Sequence, residues 1–532
     1  MHGHLFITRG DVTRLACDAW LVPGDRRRHV TRGWWVDHDP DLCQALERGR
    51  CWFMAPLQGA LGFPLRDGQR ALPLPGLPLD RPQVWMVDVG GHRRKPVDWY
   101  LDAVGQALDA LEPVLAQGPR YLRRRARPLV ALPVVGTGFG GQHHDAGAMI
   151  RAMVPWLTDQ AAQRSVDLAL VTFSAADFAA ARACRTPTWA DLPDAAATEA
   201  QRLATLAAAG ELVIFFGAGL SAGANLPTWF ALLDDLATEA GLSDEARALL
   251  LHDRVNAMDR GQLLATHLDD VGAAVQRLLQ PYKWASLAHT LLAGLPVDSA
   301  ITTNYDTLYE QACTDAGRPL AVLPYAPAAR HPRWLLKMHG CLNHPEDIVL
   351  TRENYMRYGA RNAALAGIVQ SMLMTRHMLF LGFSLEDDNF LRIVDAVRQA
   401  ARGQLPGEGQ RQEGPSVHLG TAVMLSRDPL LEALWQGEMD WLDMSAGEPV
   451  GIAESARRFE LFLDCLSHHT TAHSHLLAPR FHGALSAEDQ ALRDLLMPLL
   501  AALPSDARAH SPAWAQINRL LARLGAPHLP ED

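Results

Sequence analysis

The run Glu211-Leu-Val-Ile-Phe-Phe-Gly-Ala-Gly-Leu-Ser221 limits the fold of this chain more than any other stretch. Its apolar half suits a buried strand, and it ends in a small-residue turn at Gly217, Ala218, Gly219 and Ser221. Only glycine lets backbone N–H groups approach a pyrophosphate closely, and a helix following the turn aims its positive end at the same anion. The pattern predicts a dinucleotide site at the exit of a strand in an open, mostly parallel α/β sheet. Gly-rich strand exits also serve as plain turns, so the pattern needs company.

Length and composition narrow the possibilities. At 532 residues the chain exceeds what one hydrophobic core holds, and two or three domains are expected. A formal charge of -10, from 59 acidic against 49 basic residues, gives no electrostatic footprint for nucleic acid or an anionic membrane. The basic run Arg123 to Arg127 reads as a solvated helix face. Seven cysteines without paired spacing argue against a disulfide framework and a zinc ribbon. His468, His469, His473 and His475 match no ligand spacing and read as an exposed helix end. No metal is expected. The amino terminus lacks a signal-peptide pattern, and no stretch reaches the roughly 18 uninterrupted apolar residues of a membrane span. A soluble, cytoplasmic protein is the expectation.

Four regions follow along the chain. Residues 1–186 alternate apolar runs (Ala19 to Val22, Val84 to Val89, Leu129 to Val135, Leu168 to Phe173) with helix-like stretches such as Leu101 to Ala116, which predicts a layered α/β domain. Residues 187–202 hold a proline-bearing linker and the start of a lead-in helix, ended by Gly210. Residues 203–450 alternate again, with strands expected near Val213, at Ser299 to Thr302, Trp334 to Met338, Met378 to Gly382 and Thr421 to Leu425. The stretch Arg402 to Pro415, rich in Gly, Gln, Glu and Arg, reads as a mobile surface loop. Residues 451–532 read as a wholly helical extension.

Four further polar clusters join the Gly turn, each placed after an apolar run except the first: Asn225-Leu-Pro-Thr-Trp229, Thr302-Thr-Asn-Tyr-Asp306, Lys337-Met-His-Gly340 and Gly382-Phe-Ser-Leu-Glu-Asp387. In an open parallel sheet, ligands bind outside the carboxyl ends of the strands, so such clusters converge on one crevice. Each residue also has a plainer use. Asn304 and Asp306 serve as turn residues, His339 as a satisfied core histidine, Ser384 as a helix cap and Asp387 as a first-turn acid. Four such coincidences in the right order favour one site.

The order GAGLS, TTNYD, KMHG, GFSLED resembles the sirtuin-like (silent information regulator) fold, and most closely its bacterial branch of NAD-cleaving defence proteins. The resemblance runs from about Leu203 to Ser445. It implies a Rossmann-like domain that takes NAD as substrate, with Gly217, Ala218, Gly219 and Ser221 on the pyrophosphate and Gly382, Ser384 and Asp387 completing the cofactor site. Pro227, Trp229 and Thr303 join that site by position in the same motifs. Asn304 and His339 would be catalytic, with Asp306 near the nicotinamide. Breaking the nicotinamide glycosidic bond builds positive charge on the ribose and releases a neutral group. It therefore asks for a base near the ribose hydroxyls, an oriented water and a carboxylate facing the developing cation rather than a strong acid. The deacetylase branch inserts two Cys-x-x-Cys pairs, absent here, and NAD hydrolysis is accordingly favoured over deacylation. Transfer of ADP-ribose to protein and a non-catalytic NAD or ADP-ribose receptor remain the alternatives.

Phe6-Ile-Thr-Arg-Gly-Asp-Val-Thr13 and Ala131-Leu-Pro-Val-Val-Gly-Thr-Gly-Phe-Gly140 resemble the opening and the later Gly-rich loop of a macro domain, a three-layer α/β/α fold that binds ADP-ribose and relatives. Asp11, Val12, Gly136, Thr137, Gly138 and Phe139 would contact that ligand. Val22-Pro-Gly-Asp25 departs from the Asn-rich turn of macro hydrolases, so binding is favoured over hydrolysis there. The pairing resembles anti-phage systems in which a nucleotide signal releases an NADase that depletes the host of NAD. Relatives of that kind assemble into larger particles, which makes a homo-oligomer the expected state.

Overall fold

The computed structural model describes every residue except 1, 37–38, 54–64, 92–93, 119, 139–140, 142–143, 253–254, 403–416, 471, 503–511 and 527–532. The surface loop expected after Arg402 therefore falls outside the described residues. The chain forms two compact α/β units, Met1–Thr188 with Thr471–Asp532, and Trp189–Thr470.

The first unit carries β1 Leu5–Arg9, β2 Ala19–Gly24, β3 Ala71–Pro73, β4 Gln83–Asp88, β5 Leu129–Pro133 and β6 Asp167–Thr172. They lie in the order β1-β6-β5-β2-β4-β3, parallel except for β3, which runs antiparallel to β4. All six residues of β6 are buried, as parallel strands covered by helices on both faces require. Helices Val97–Gln117 and Ala146–Gln163 supply much of that cover through Tyr100, Val104, Leu108, Ile150 and Leu157. The basic run 123–127 is not a helix face. Arg125 pairs with the fully buried Asp167 at 2.9 Å and Arg127 is itself buried, so these arginines fasten a loop to the amino edge of the sheet.

The second unit carries seven strands: β7 Leu212–Phe216, β8 Ser299–Thr302, β9 Ala321–Leu323, β10 Trp334–Lys337, β11 His377–Leu381, β12 Gly420–Met424 and β13 Met439–Asp443. Their order is β13-β12-β11-β7-β8-β10-β9, and every pair is parallel. From β7 the chain builds outward on one side through β8, β9 and β10, then crosses to the other side at β11. β7 thus borders the switch point where open α/β sheets bind ligands. Register completes the geometry. Phe216 pairs with Thr302 and with Leu381, and Thr302 pairs with Lys337, so four neighbouring strands end level with one another.

The stretch after 451 does not form an extension of its own. Helix Ile452–His469 belongs to the second unit and packs along helix Asp194–Ala209, while residues from 471 onward belong to the first. There the turn Pro479–Ala484 lies so close to helix Ala146–Gln163 that a Cβ on Gly147 would meet the Ala484 nitrogen at 2.7 Å. Part of the expected linker is likewise packed: Trp189 donates to Asp464 at 3.3 Å, and Asp191 pairs with the buried Arg457 at 2.8 Å. His468 and His469 end their helix beside Trp189, but His475 is buried beyond it, not exposed.

Candidate active site

Because β7, β8, β10 and β11 end level, Gly217, Thr303, Met338 and Gly382 leave the sheet side by side. The Gly turn and the Gly382 turn then touch backbone to backbone. Gly219 N–H donates to Gly382 O at 2.9 Å, and a Cβ on Gly219 would meet Gly382 Cα at 2.7 Å. Gly382 itself has φ +57, and a side chain there would run into Leu220 N at 2.6 Å. Glycine is needed on both sides of this contact because no Cβ fits.

Beyond the turns lies a cleft of about 530 Å³, within the range of small-molecule sites. Ala218, Gly219, Ser221, Pro227, Trp229, Thr303, Asn304, Asp306, His339, Gly382, Ser384 and Asp387 all line it. Gly217 lies just behind, buried, with its carbonyl held by Asn304. Beside Leu226 and Tyr305, which lie within the motifs, the cleft has an apolar wall that no motif marked, formed by Phe230, Leu232, Met258 and Leu279, and it also meets Tyr355. Leu232 and Leu279 of that wall belong to a helical core built on Trp229–Glu239 and Val271–Leu279.

The polar side chains form a directed chain of hydrogen bonds. Asn304 Nδ2 donates to Gly217 O and to Ser221 Oγ, each at 3.1 Å, and Ser221 Oγ donates to Asp306 Oδ2 at 2.8 Å. The direction is forced, because a carbonyl only accepts and an ionised carboxylate only accepts. Both amide protons of Asn304 are thus committed inside the protein. Its Oδ1 has no partner among the described residues, so Asn304 offers a ligand an acceptor and no donor. The Ser221 hydroxyl is equally committed, and the residue is 1% exposed.

Behind Ser221 stands His289, which the motifs did not reveal. It caps its own helix by accepting from Ser286 N–H through Nδ1 at 3.1 Å, leaving Nε2–H toward Ser221 Oγ at 3.4 Å. Complete burial lowers its pKa to about 4, against the pull of Asp306, so near neutral pH it is an uncharged donor.

Lys337 explains why the TTNYD loop holds its shape. Its buried ammonium pairs with Glu310 at 2.8 Å and donates to the backbone carbonyls of Tyr305 and Asp306. Burial works against the charge, but Glu310 and the neighbouring Cys341 and Asp306 outweigh it and raise the lysine pKa. The lysine of one motif therefore positions the asparagine and aspartate of another.

His339 follows two residues later. Its carbonyl accepts from Val349 N–H at 2.9 Å, and Gly340 at φ +94 lets the backbone of Asp347 and Ile348 pass where a Cβ would meet Asp347 O at 2.6 Å. The imidazole is 6% exposed, with Nε2 3.4 Å from Asp387 Oδ2 and the rings of Tyr355 and Tyr358 edge-on to it. Burial alone would raise the Asp387 pKa. Its contacts to His339, Phe390 N–H and Tyr355 reverse that and lower it.

Among the described residues one grouping of metal-ligating side chains occurs, Glu199, His377 and Asp440, with ligand atoms within 4.8 Å of one another. A cation already sits there: Arg202 Nη2 lies 2.7 Å from Glu199, 3.3 Å from His377 and 3.4 Å from Asp440.

In the first unit the expected nucleotide contacts lie at the carboxyl ends of β1 and β5, the two neighbours of β6. Asp11 Oδ1 accepts from Thr13 N–H at 2.9 Å and Thr13 Oγ1 at 2.7 Å, capping the turn Val12–Arg14, and Val12 is buried. Gly136 has φ +77, and a Cβ would press on the Tyr100 ring at 3.0 Å; Thr137 Oγ1 donates to Val134 O at 3.3 Å, and Gly138 is open. Phe139 lies outside the described residues.

Comparison with known proteins bears on the second unit. Residues 298–425 match the family model of the SIR2-like domain. The NAD(+) hydrolase ThsA of Enterococcus faecium is 33% identical over 204 residues, 36% of this chain and 41% of that protein. The NAD(+) hydrolase ThsA of Bacillus cereus is 29% identical over 198 residues, 35% and 40% of the two chains. Defense-associated sirtuin 2 of Bacillus subtilis is 25% identical over 201 residues, 36% of this chain and 19% of that protein. The chain therefore spans about two-fifths of the length of the ThsA relatives it matches.

Proposed function

Starting from a SIR2-like domain in the second unit, we propose that the protein is an NAD+ glycohydrolase that depletes NAD in anti-phage defence. The observation carrying this reading is the level ending of four strands, which brings Asn304, Asp306 and His339 to one cleft beside a backbone-only Gly turn. The names of the ThsA relatives point the same way.

In the reaction the C1′–nitrogen bond of NAD+ breaks with its electron pair going to nicotinamide, a water oxygen bonds to C1′, and one proton is released. A pyrophosphate at the Gly turn would meet backbone N–H groups, since the Ser221 hydroxyl is already engaged. Asn304 Oδ1 would accept a hydrogen bond from the attacking water or a ribose hydroxyl and so orient it. Asp306 would favour the cationic ribose in the transition state, and His339 would take the proton. Pro227, Trp229, Thr303, Gly382 and Ser384 would enclose the dinucleotide; no metal enters the scheme.

The reading extends to the first unit as a macro-like domain whose Asp11, Val12, Gly136, Thr137, Gly138 and Phe139 hold an ADP-ribose-type signal that releases the NADase. A gate of this kind requires a ligand that binds the active state more tightly than the resting one. It also includes self-association, supported by exposed Leu492, Leu495, Ile517 and Leu520 on the last helices, and a cytoplasmic location, consistent with the finding that no described helix is long and apolar enough to cross a membrane.

Nicotinamide release by the purified chain, followed with and without added ADP-ribose-type nucleotides, tests this. The expected result is release that rises with the signal and is lost in Asn304→Ala. Full release without any signal would remove the gate, and no release under any condition would remove the enzyme.

A further inference from the structure

Asp387 lines the cleft, which places it among residues expected to touch the nucleotide, yet its carboxylate faces the protein. Oδ1 accepts from Phe390 N–H at 2.9 Å, capping the helix that begins at Asp388. Oδ2 lies 3.3 Å from the Tyr355 hydroxyl that donates to it and 3.4 Å from His339 Nε2. The second distance is long for a hydrogen bond, as catalytic pairs commonly are before a ligand tightens them. The carboxylate side chain is only 12% exposed.

The imidazole is held from several directions. Tyr355 and Tyr358, from helix Arg352–Arg361, set their rings edge-on to it at 5.6 and 6.1 Å. Asn389, 1% exposed, places its amide 3.4 Å from the same Nε2 and leaves its own Oδ1 without a partner. The two ends of an amide are assigned from the hydrogen bonds they make. Turned over, Asn389 would present that unpaired oxygen to a proton on Nε2 and satisfy both. An Nε2–H between two acceptors leaves the lone pair on Nδ1, and Nδ1 has no partner among the described residues.

Resting on the NAD-cleaving reading above, we propose that Asp387 is a positioning residue for His339. Its carboxylate takes the Nε2 proton, with Tyr355 bracing the same oxygen, and so fixes the tautomer in which Nδ1 is the base presented to the ribose hydroxyls. The carboxylate also balances the imidazolium that forms when Nδ1 takes a proton. This is the relation of an orienting acid to a catalytic histidine, built across two loops of this fold. The other titratable groups around the pair are Tyr305, Asp306, Tyr355, Tyr358, Glu386 and Asp388, with Arg392 reaching the Tyr355 carbonyl.

Two measurements on the full-length chain test it. In NAD turnover across pH, Asp387→Asn is expected to lower kcat about 10²-fold or more with little change in KM. Its acid limb should move to lower pH, because a negative charge beside the imidazole has been removed; Tyr355→Phe, which removes a donor that neutralises part of that charge, should move the limb the opposite way by less. A raised KM with unchanged kcat and an unmoved limb would instead make Asp387 a nucleotide contact and overturn the proposal. The second measurement needs no turnover. Nitrogen NMR of histidine-labelled protein, with the His339 signal identified by its loss in His339→Gln, should show the Nε2-protonated tautomer. Finding Nδ1 protonated in the native chain would refute the proposal even if NAD is cleaved, whereas inactivity of the native chain with the expected tautomer would refute only the NADase reading.

Discussion

The carboxyl edges of the two sheets use the same kinds of residue differently. At β1 and β5 of the first unit, Asp11 caps its own turn and Thr137 bonds the carbonyl three residues back, so each polar side chain is satisfied locally. At β7, β8, β10 and β11 of the second, the bonds run between motifs far apart in the chain: Asn304 to Gly217, Ser221 to Asp306, Lys337 to the carbonyls of Tyr305 and Asp306. Local satisfaction is what any turn requires. Satisfaction across loops, with an acceptor and an imidazole nitrogen left over, is what a reaction site requires.

The largest expected effect bears on what is left over. His339→Ala should lower nicotinamide release by about 10²–10⁴-fold while far-UV circular dichroism stays native. Undiminished turnover in that folded variant would reduce the second edge to the same structural role as the first. Next, Lys337→Met leaves Glu310 without its buried partner and frees the carbonyls of the TTNYD loop. A loss of about 3–5 kcal/mol is expected, read as a lowered denaturant midpoint, and a neutral substitution would mean that the motifs are not coupled through the lysine.

A smaller effect follows from His289. With its folded pKa lowered to about 4 from 6.5, it contributes no pH dependence above 6.5. As pH falls from 6.5 toward 4, the unfolded chain takes up a proton that the folded one refuses, so stability drops by up to ~3 kcal/mol. Thermal unfolding of His289→Gln should show a flatter slope over that window than the native chain, and identical slopes would show that the burial of this ring carries no such penalty. The smallest change is expected at the first edge, where Asp11→Ala removes an N-cap worth about 1 kcal/mol. Hydrogen exchange should register it in the first unit; a loss of several kcal/mol would mean that Asp11 is bound into a wider network there as well.

Strand exits were readable because an apolar run ending in glycine or a polar cluster marks the place where a chain leaves a sheet. Register was not, since nothing in the residues of β8 announces that Thr302 pairs with Phe216 and Lys337. His289 hides inside a capping box, and Tyr355 sits in a helix with no motif; both matter through contacts formed only on folding. β13 carries apolar residues mixed with two aspartates on a partly exposed edge strand, and β9 is three residues long, so neither produced a readable period. Arg123 and Arg124 are exposed, as the run suggests, but Arg125 turns in to pair with Asp167 beneath the loop and Arg127 is buried.

A crystal structure of His339→Ala with NAD bound tests the central claim most directly. The account predicts the dinucleotide in the cleft, its pyrophosphate on the backbone of Gly217 to Gly219 and its nicotinamide ribose between Asn304 and the vacated imidazole position. NAD bound elsewhere on the chain, or lying in the cleft with that ribose turned away from Asn304, would contradict it.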